Sequence, residues 1–127
     1  MKVAVLAARI LLGLIFLVFG LNAFLHFMPM QPLPGDAGRF AGILFTSRYL
    51  FVVALIQVVS GDLLLVGRFV PLGLTLLGPV IVNIFLFHLL LAPAGLPLAL
   101  VCVVLEAFLI WAYRRAFEGL FAARPTL

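Results

Sequence analysis

The chain has 127 residues, of which 67% are hydrophobic and 9% charged, and its mean hydropathy is +1.40. A soluble domain of this size cannot hide so much apolar surface, and disorder needs the opposite composition. An integral membrane protein remains, and the net charge of +4 needs no nucleic-acid partner to explain it.

A helix needs about 20 mostly apolar residues to cross a hydrocarbon core of roughly 30 Å. The first such stretch is 10–27 (ILLGLIFLVFGLNAFLHF). Residues 1–23 also have the outline of a signal peptide, with Lys2 and Arg9 as its charged region. No Ala-x-Ala pattern follows, so the segment is read as a retained first helix. The loop 28–48 opens MPMQPLPGDAG, a proline and glycine run that stops a helix. Asp36 is placed to cap a short amphipathic helix through Arg39, Phe40, Ile43 and Leu44. That helix is either an interfacial lid over the bundle mouth or a plain connector.

The second span is 49–67, the third 72–91 and the fourth 96–113. The connectors RFVP (68–71) and APAG (92–95) are tight, so the helices on either side must be antiparallel neighbours. Nothing alternates with a period of two, so a barrel is not indicated. Helices satisfy their own backbone in lipid. The expected fold is therefore all-α: one membrane domain over 1–127, an antiparallel four-helix bundle.

Basic residues set the orientation. Lys2, Arg9, Arg68, Arg114, Arg115 and Arg124 fall on the side of the two termini, and only Arg39 and Arg48 on the other. Both termini are expected in the cytoplasm, with loop 28–48 outside. Tyr49 marks one interface, and Trp111 with Tyr113 the other.

Polar groups inside lipid are expensive, so those within the spans are informative: Asn22, His26, Gln57, Asp62, Asn83, His88 and Glu106. At 1.5 Å per residue, Gln57, Asn83 and Glu106 lie within roughly 3 Å of their span centres. Asn22 lies about 5 Å, and His26 and His88 about 10 Å, toward the outer side. Asn22 and His26 share a helix face. Asn83 and His88 do not, unless Gly78-Pro79 kinks the third span and turns them together. Such residues are either interhelical glue or a site. Asp62 reads as structural, paired with Arg9 or Arg68. Gly13, Gly20, Gly61, Gly73 and Gly78 suit close helix contact. Asn22-Ala-Phe-Leu-His26 also echoes Asn83-Ile-Phe-Leu-Phe-His88, as chance or a duplicated hairpin would produce. One cysteine, Cys102, excludes an internal disulfide or cysteine zinc site, and no metal site is expected.

The segments RFVPLGLTLLGPVIVNIFLFHLLLAPAGLP (68–97), EAFLIWAYRRAF (106–117) and ARILLGLIFLVFGLNAFLHFMP (8–29) resemble the DoxX family of small bacterial membrane proteins. The Pro79-to-Asn83-to-His88 spacing and the Trp111-Ala-Tyr-Arg114 string are its more specific features. The resemblance implies a four-helix bundle in the bacterial inner membrane, with polar residues at Asn22, Gln57, Asn83, His88 and Glu106. His26 and Asp62 depart from the pattern. There is a more distant similarity to a subunit of an archaeal thiosulfate:quinone oxidoreductase.

Two function classes follow. In a quinone-linked redox subunit, Asn83 and His88 would hold one quinone carbonyl and Asn22 or Gln57 the other. Glu106 would carry the proton, and a partner redox protein would bring electrons. Haem between His26 and His88 lacks the usual helix-pair context. The alternative is a non-enzymatic scaffold or assembly factor, or a binder of a small lipophilic ligand. A transporter would require a homo-oligomer. The site expected from depth is a pocket floored by Glu106 and Asn83, with His88 at its rim and the loop helix above.

Overall fold

The structure, a computed structural model, describes residues 1–29 and 32–127. Its α-helices are α1 (Lys2–Leu25), α2 (Gly35–Thr46), α3 (Tyr49–Val66), α4 (Val70–Leu90) and α5 (Leu96–Ala112). Short 3-10 segments cover Pro93–Gly95 and Arg114–Phe121. No strand occurs among the described residues. The protein is all-α, a bundle of four long apolar helices crossed at one end by the shorter α2.

The four long helices, the last counted from Pro93, have mean hydropathies of 2.1 to 2.6 over their most apolar stretches. Their outward faces are equally apolar: Val52 is 63% exposed and Val104 64%. A belt of half-exposed aliphatic side chains belongs in lipid, not water. The chain is a multi-pass membrane protein in contact with the bilayer.

Contacts run from α1 to α3, α3 to α4, α4 to α5 and α5 back to α1. The helices form a square with α1 and α4 on a diagonal. The tight connectors enforce it. Gly67 closes α3 in the left-handed region at φ 82°, its N–H donating to the Leu63 carbonyl, and Pro71 sits in the first turn of α4, where its missing N–H is no loss. Both termini lie at one end, called here the terminal end. The lid end carries α2.

Helix α1 begins at Lys2, well before the apolar span, and takes in Lys2 and Arg9. Long basic side chains tolerate this because their stems lie along apolar surface. The helix stops at Leu25, where His26 turns left-handed at φ 53°.

The core is concentrated at the terminal end. Leu12, Leu64, Leu74, Leu77 and Leu109 are almost wholly buried, and each lies in the half of its helix nearer the termini. Phe117 folds back to join them. Arg114 donates to the Trp111 carbonyl at 2.9 Å and stacks over its ring at 4.7 Å, which holds the chain after α5 against the bundle. Helices α1 and α3 approach backbone to backbone. A Cβ on Gly61 would stand 2.8 Å from both the Gly13 carbonyl oxygen and the Leu17 nitrogen. Gly20 and Gly73 serve the same purpose less tightly, against Ala54 and Ser60.

Candidate functional site

At the lid end the helices do not close. They leave a chamber of about 970 Å³, at the upper end of the range for small-molecule sites. Its walls are Ile15, Phe16, Phe19 and Ala23 of α1, Leu50 and Ala54 of α3, Ile84 of α4 and Leu98, Ala99 and Cys102 of α5. The polar groups on the wall are few: Asn22, His26, Arg39, Gln57 and His88.

The roof is α2. Pro34 stands at its N-cap with extended backbone, and Asp36 lies within the first turn. The expected capping by Asp36 is therefore corrected. Its carboxylate instead accepts from Arg39 at 3.3 Å, in an exposed ion pair. The inner surface of α2 is built from Gly35, Gly38, Ala41 and Gly42 with Arg39 and Phe45, so little but backbone hangs over the opening. Two aromatic contacts clasp it down. Phe45 meets the His26 ring edge-on at 6.1 Å, and Phe40 lies 5.6 Å from Phe87 of α4. The loop helix therefore lies across the opening.

Asn22 is buried at the end of α1. Its main-chain carbonyl accepts the His26 N–H at 2.9 Å, and its side-chain Oδ1 accepts the Met28 N–H at 2.7 Å. The amide thus caps the helix with its oxygen. Asn22 lines the chamber, and its amide nitrogen has no partner among the described residues. Gln57 is half-buried, its stem packed on Gly20. His88 is half-buried, with Nδ1 3.2 Å from the Ala92 carbonyl oxygen. Its ring lies so close to Gly95 that any Cβ there would collide with it. His26 is exposed on the opposite rim.

Two residues expected in this pocket are elsewhere. Asn83 is exposed on the outer face of α4, and its amide nitrogen donates to the Pro79 carbonyl at 2.8 Å. It shares that face with Thr75 and Pro79, both exposed, and Thr75 likewise bonds back to the Pro71 carbonyl. Gly78-Pro79 therefore does not bring Asn83 and His88 together, and the Asn22–His26 echo does not hold in burial: in the first pair the Asn is inside, in the second the His. Glu106 is 5% exposed, inside the bundle, but it does not line the chamber. It sits one helical turn beyond Cys102, about 6 Å along α5, with its carboxylate toward Gly78 of α4. Neither carboxylate oxygen has a hydrogen-bond partner among the described residues, nor does the buried Ser60 hydroxyl.

Asp62 is also displaced from expectation. It is exposed and joins no ion pair among the described residues. Arg9 packs its guanidinium under Gly67 instead. No cluster of three His, Cys, Asp or Glu suited to a metal occurs among the described residues.

Arg39 and Cys102 also line the chamber, beyond the residues expected from the sequence. Cys102 was legible in principle, since it lies one turn from Glu106 and shares its face. Arg39 was not, because it depends on which way the lid turns. Comparison of the chain with protein-family models, with curated proteins and with solved structures gives no match.

Proposed function

We propose that this protein is a DoxX-like member of the bacterial cytoplasmic membrane, with both termini cytoplasmic, that binds a small lipophilic molecule in its lid-end chamber. The chamber carries the proposal: about 970 Å³, apolar walls running into the membrane, a few polar groups and a roof of mostly small residues. That is the composition of a binding pocket for an amphiphile.

A quinone-linked redox role is the second reading. The free amide nitrogen of Asn22, with Gln57 and His88 on the same wall, supports it by offering donors to ring carbonyls. Asn83 and Glu106, the other donor and the proton carrier of that scheme, do not line the chamber, so the binding role is the stronger. A second copy of the chain is the proposed partner. The lipid-facing amide of Asn83 keeps a carbonyl oxygen and one N–H with no partner among the described residues. An amide is complementary to itself, so a two-fold-related copy would satisfy both.

Cys102, the single cysteine, lines the chamber and gives a direct test. Protein purified in mild detergent should react slowly with a small permeant thiol reagent while its native lipids remain, and faster after delipidation. Extraction and mass analysis of the bound lipid then separates an acyl amphiphile from a quinone. Cys102 reactivity that delipidation leaves unchanged would count against an occupied chamber.

A further inference from the structure

We infer that the molecule held in the chamber carries an anionic head, a carboxylate or a phosphate, on a single long acyl chain. This rests on the binding role proposed above and adds the chemistry of the ligand. Among the described residues, no Asp or Glu lies on the chamber wall, while Arg39, two imidazoles and two amides do. No carboxylate on the wall therefore competes for these donors, although His88 Nδ1 already lies 3.2 Å from the Ala92 carbonyl oxygen. Arg39 has one acidic neighbour, Asp36, three residues away on the same helix. Both side chains are more than three-quarters exposed, and a pair so placed contributes little. Its guanidinium is free to exchange that partner for a ligand carboxylate or phosphate, which it can grip with two parallel N–H donors.

The positions of these groups agree with such a ligand. Arg39, His26 and His88 come from α2, α1 and α4, three elements that meet at the mouth. The Asn22 amide nitrogen is the next polar group inward. Beyond it the wall is Phe19, Phe16 and Ile15 of α1 and Cys102 of α5, with Gln57 as the one polar exception. From His26 to Ile15 the wall descends about 16 Å, room for an extended acyl chain. Because Arg39 belongs to the lid, the head charge would also tie α2 down, adding to the Phe45–His26 and Phe40–Phe87 contacts.

The test uses the full-length protein in neutral detergent and three ligands of equal chain length: palmitate, hexadecanol and hexadecylamine, with lysophosphatidate as a fourth arm to separate phosphate from carboxylate. Binding is read by protection of Cys102. Palmitate or lysophosphatidate should bind about tenfold tighter than hexadecanol, and the amine more weakly than both. Arg39→Gln should cost the anionic ligands about tenfold while leaving hexadecanol unchanged. Asp36→Asn should tighten the anionic ligands by removing the competing carboxylate. Equal affinity for palmitate and hexadecanol, or preference for the amine, would overturn the anionic head and leave the chamber's binding role standing. Failure of all four to protect Cys102 would overturn both.

Discussion

The two ends of the bundle are made from the same four helices and are packed differently. At the terminal end, Leu12, Leu64, Leu74, Leu77 and Leu109 are buried between the helices, and glycines let α1 and α3 touch through their backbones. At the lid end the same helices carry Ala23, Ala54, Ala99 and Cys102 around the axis, side chains too small to meet, and a chamber results. One end holds the helices in register, and the other can be shaped to a ligand without being needed for the fold.

A matched pair of glycine substitutions breaks this comparison most sharply. Gly61→Leu places a side chain where even a Cβ would collide with the Gly13 carbonyl and the Leu17 nitrogen. Neither obstacle is a movable side chain, so the helices must part. A loss of about 3 kcal/mol or more is expected, seen as a large fall in Tm. Gly42→Leu, in the roof, meets nothing within 4 Å and gains the helix propensity that glycine lacks, up to about 1 kcal/mol. Its Tm should hold or rise slightly, while Cys102 protection by ligand weakens because the new side chain occupies the mouth. Equal damage from both variants would mean that the ends are not distinct.

The buried carboxyl of Glu106 sharpens the comparison from the other side. It lies in the packed region with both oxygens unpartnered among the described residues. An unpartnered buried polar group costs about 1–3 kcal/mol, so nothing in the packing accounts for it. Glu106→Leu, close in volume, should raise the unfolding free energy by about 1–3 kcal/mol in detergent. Glu106→Gln should give little of that gain, since its amide is equally unpartnered. Chamber occupancy should survive both, as Glu106 is not on its wall. A fall in stability with Glu106→Leu would point instead to a partner that the carboxyl meets in the membrane.

What the sequence made legible follows from the same physics. Hydropathy placed four spans because lipid demands length and apolarity. Tight connectors settled which helices are neighbours. Glycine spacing marked the close contacts at Gly13, Gly20, Gly61 and Gly73. The lid helix showed because the periodicity of Arg39, Phe40, Ile43 and Leu44 breaks its sequence into polar and apolar faces. Inside the membrane that signal disappears. The faces of α4 and α5 toward lipid and toward the core are both apolar, so no contrast around the helix tells which way Asn83 points. Depth was readable from residue counts, but azimuth was not. Counting residues along the spans therefore points to Asn83 and Glu106, and neither one lines the chamber. The cap of α2 was misread for a smaller reason: Pro34, extended before Gly35, already starts the helix, which leaves Asp36 inside the first turn.

Asn83 gives the smallest and most discriminating expectation. If it were a chamber residue, Asn83→Leu would weaken ligand protection of Cys102. Its exposed position and its bond back to the Pro79 carbonyl predict no such change. They also predict almost no change in the stability of an isolated subunit, because the lost bond lies within one helix turn and leucine is welcome in lipid. What should change is association. A cross-helix amide pair in a membrane is worth about 0.6–2 kcal/mol, which corresponds to roughly a three- to thirtyfold shift in a dimerisation constant. Cysteine crosslinking at Val82, exposed beside Asn83, in a Cys102→Ala background, measures this directly. Crosslinked dimer from Val82→Cys should fall when Asn83→Leu is added and persist when Asn83→Gln, which keeps a self-complementary amide, is added instead. Dimer that persists equally in both would remove the amide pair as the contact between copies, and lipid alone would then be what this polar face meets.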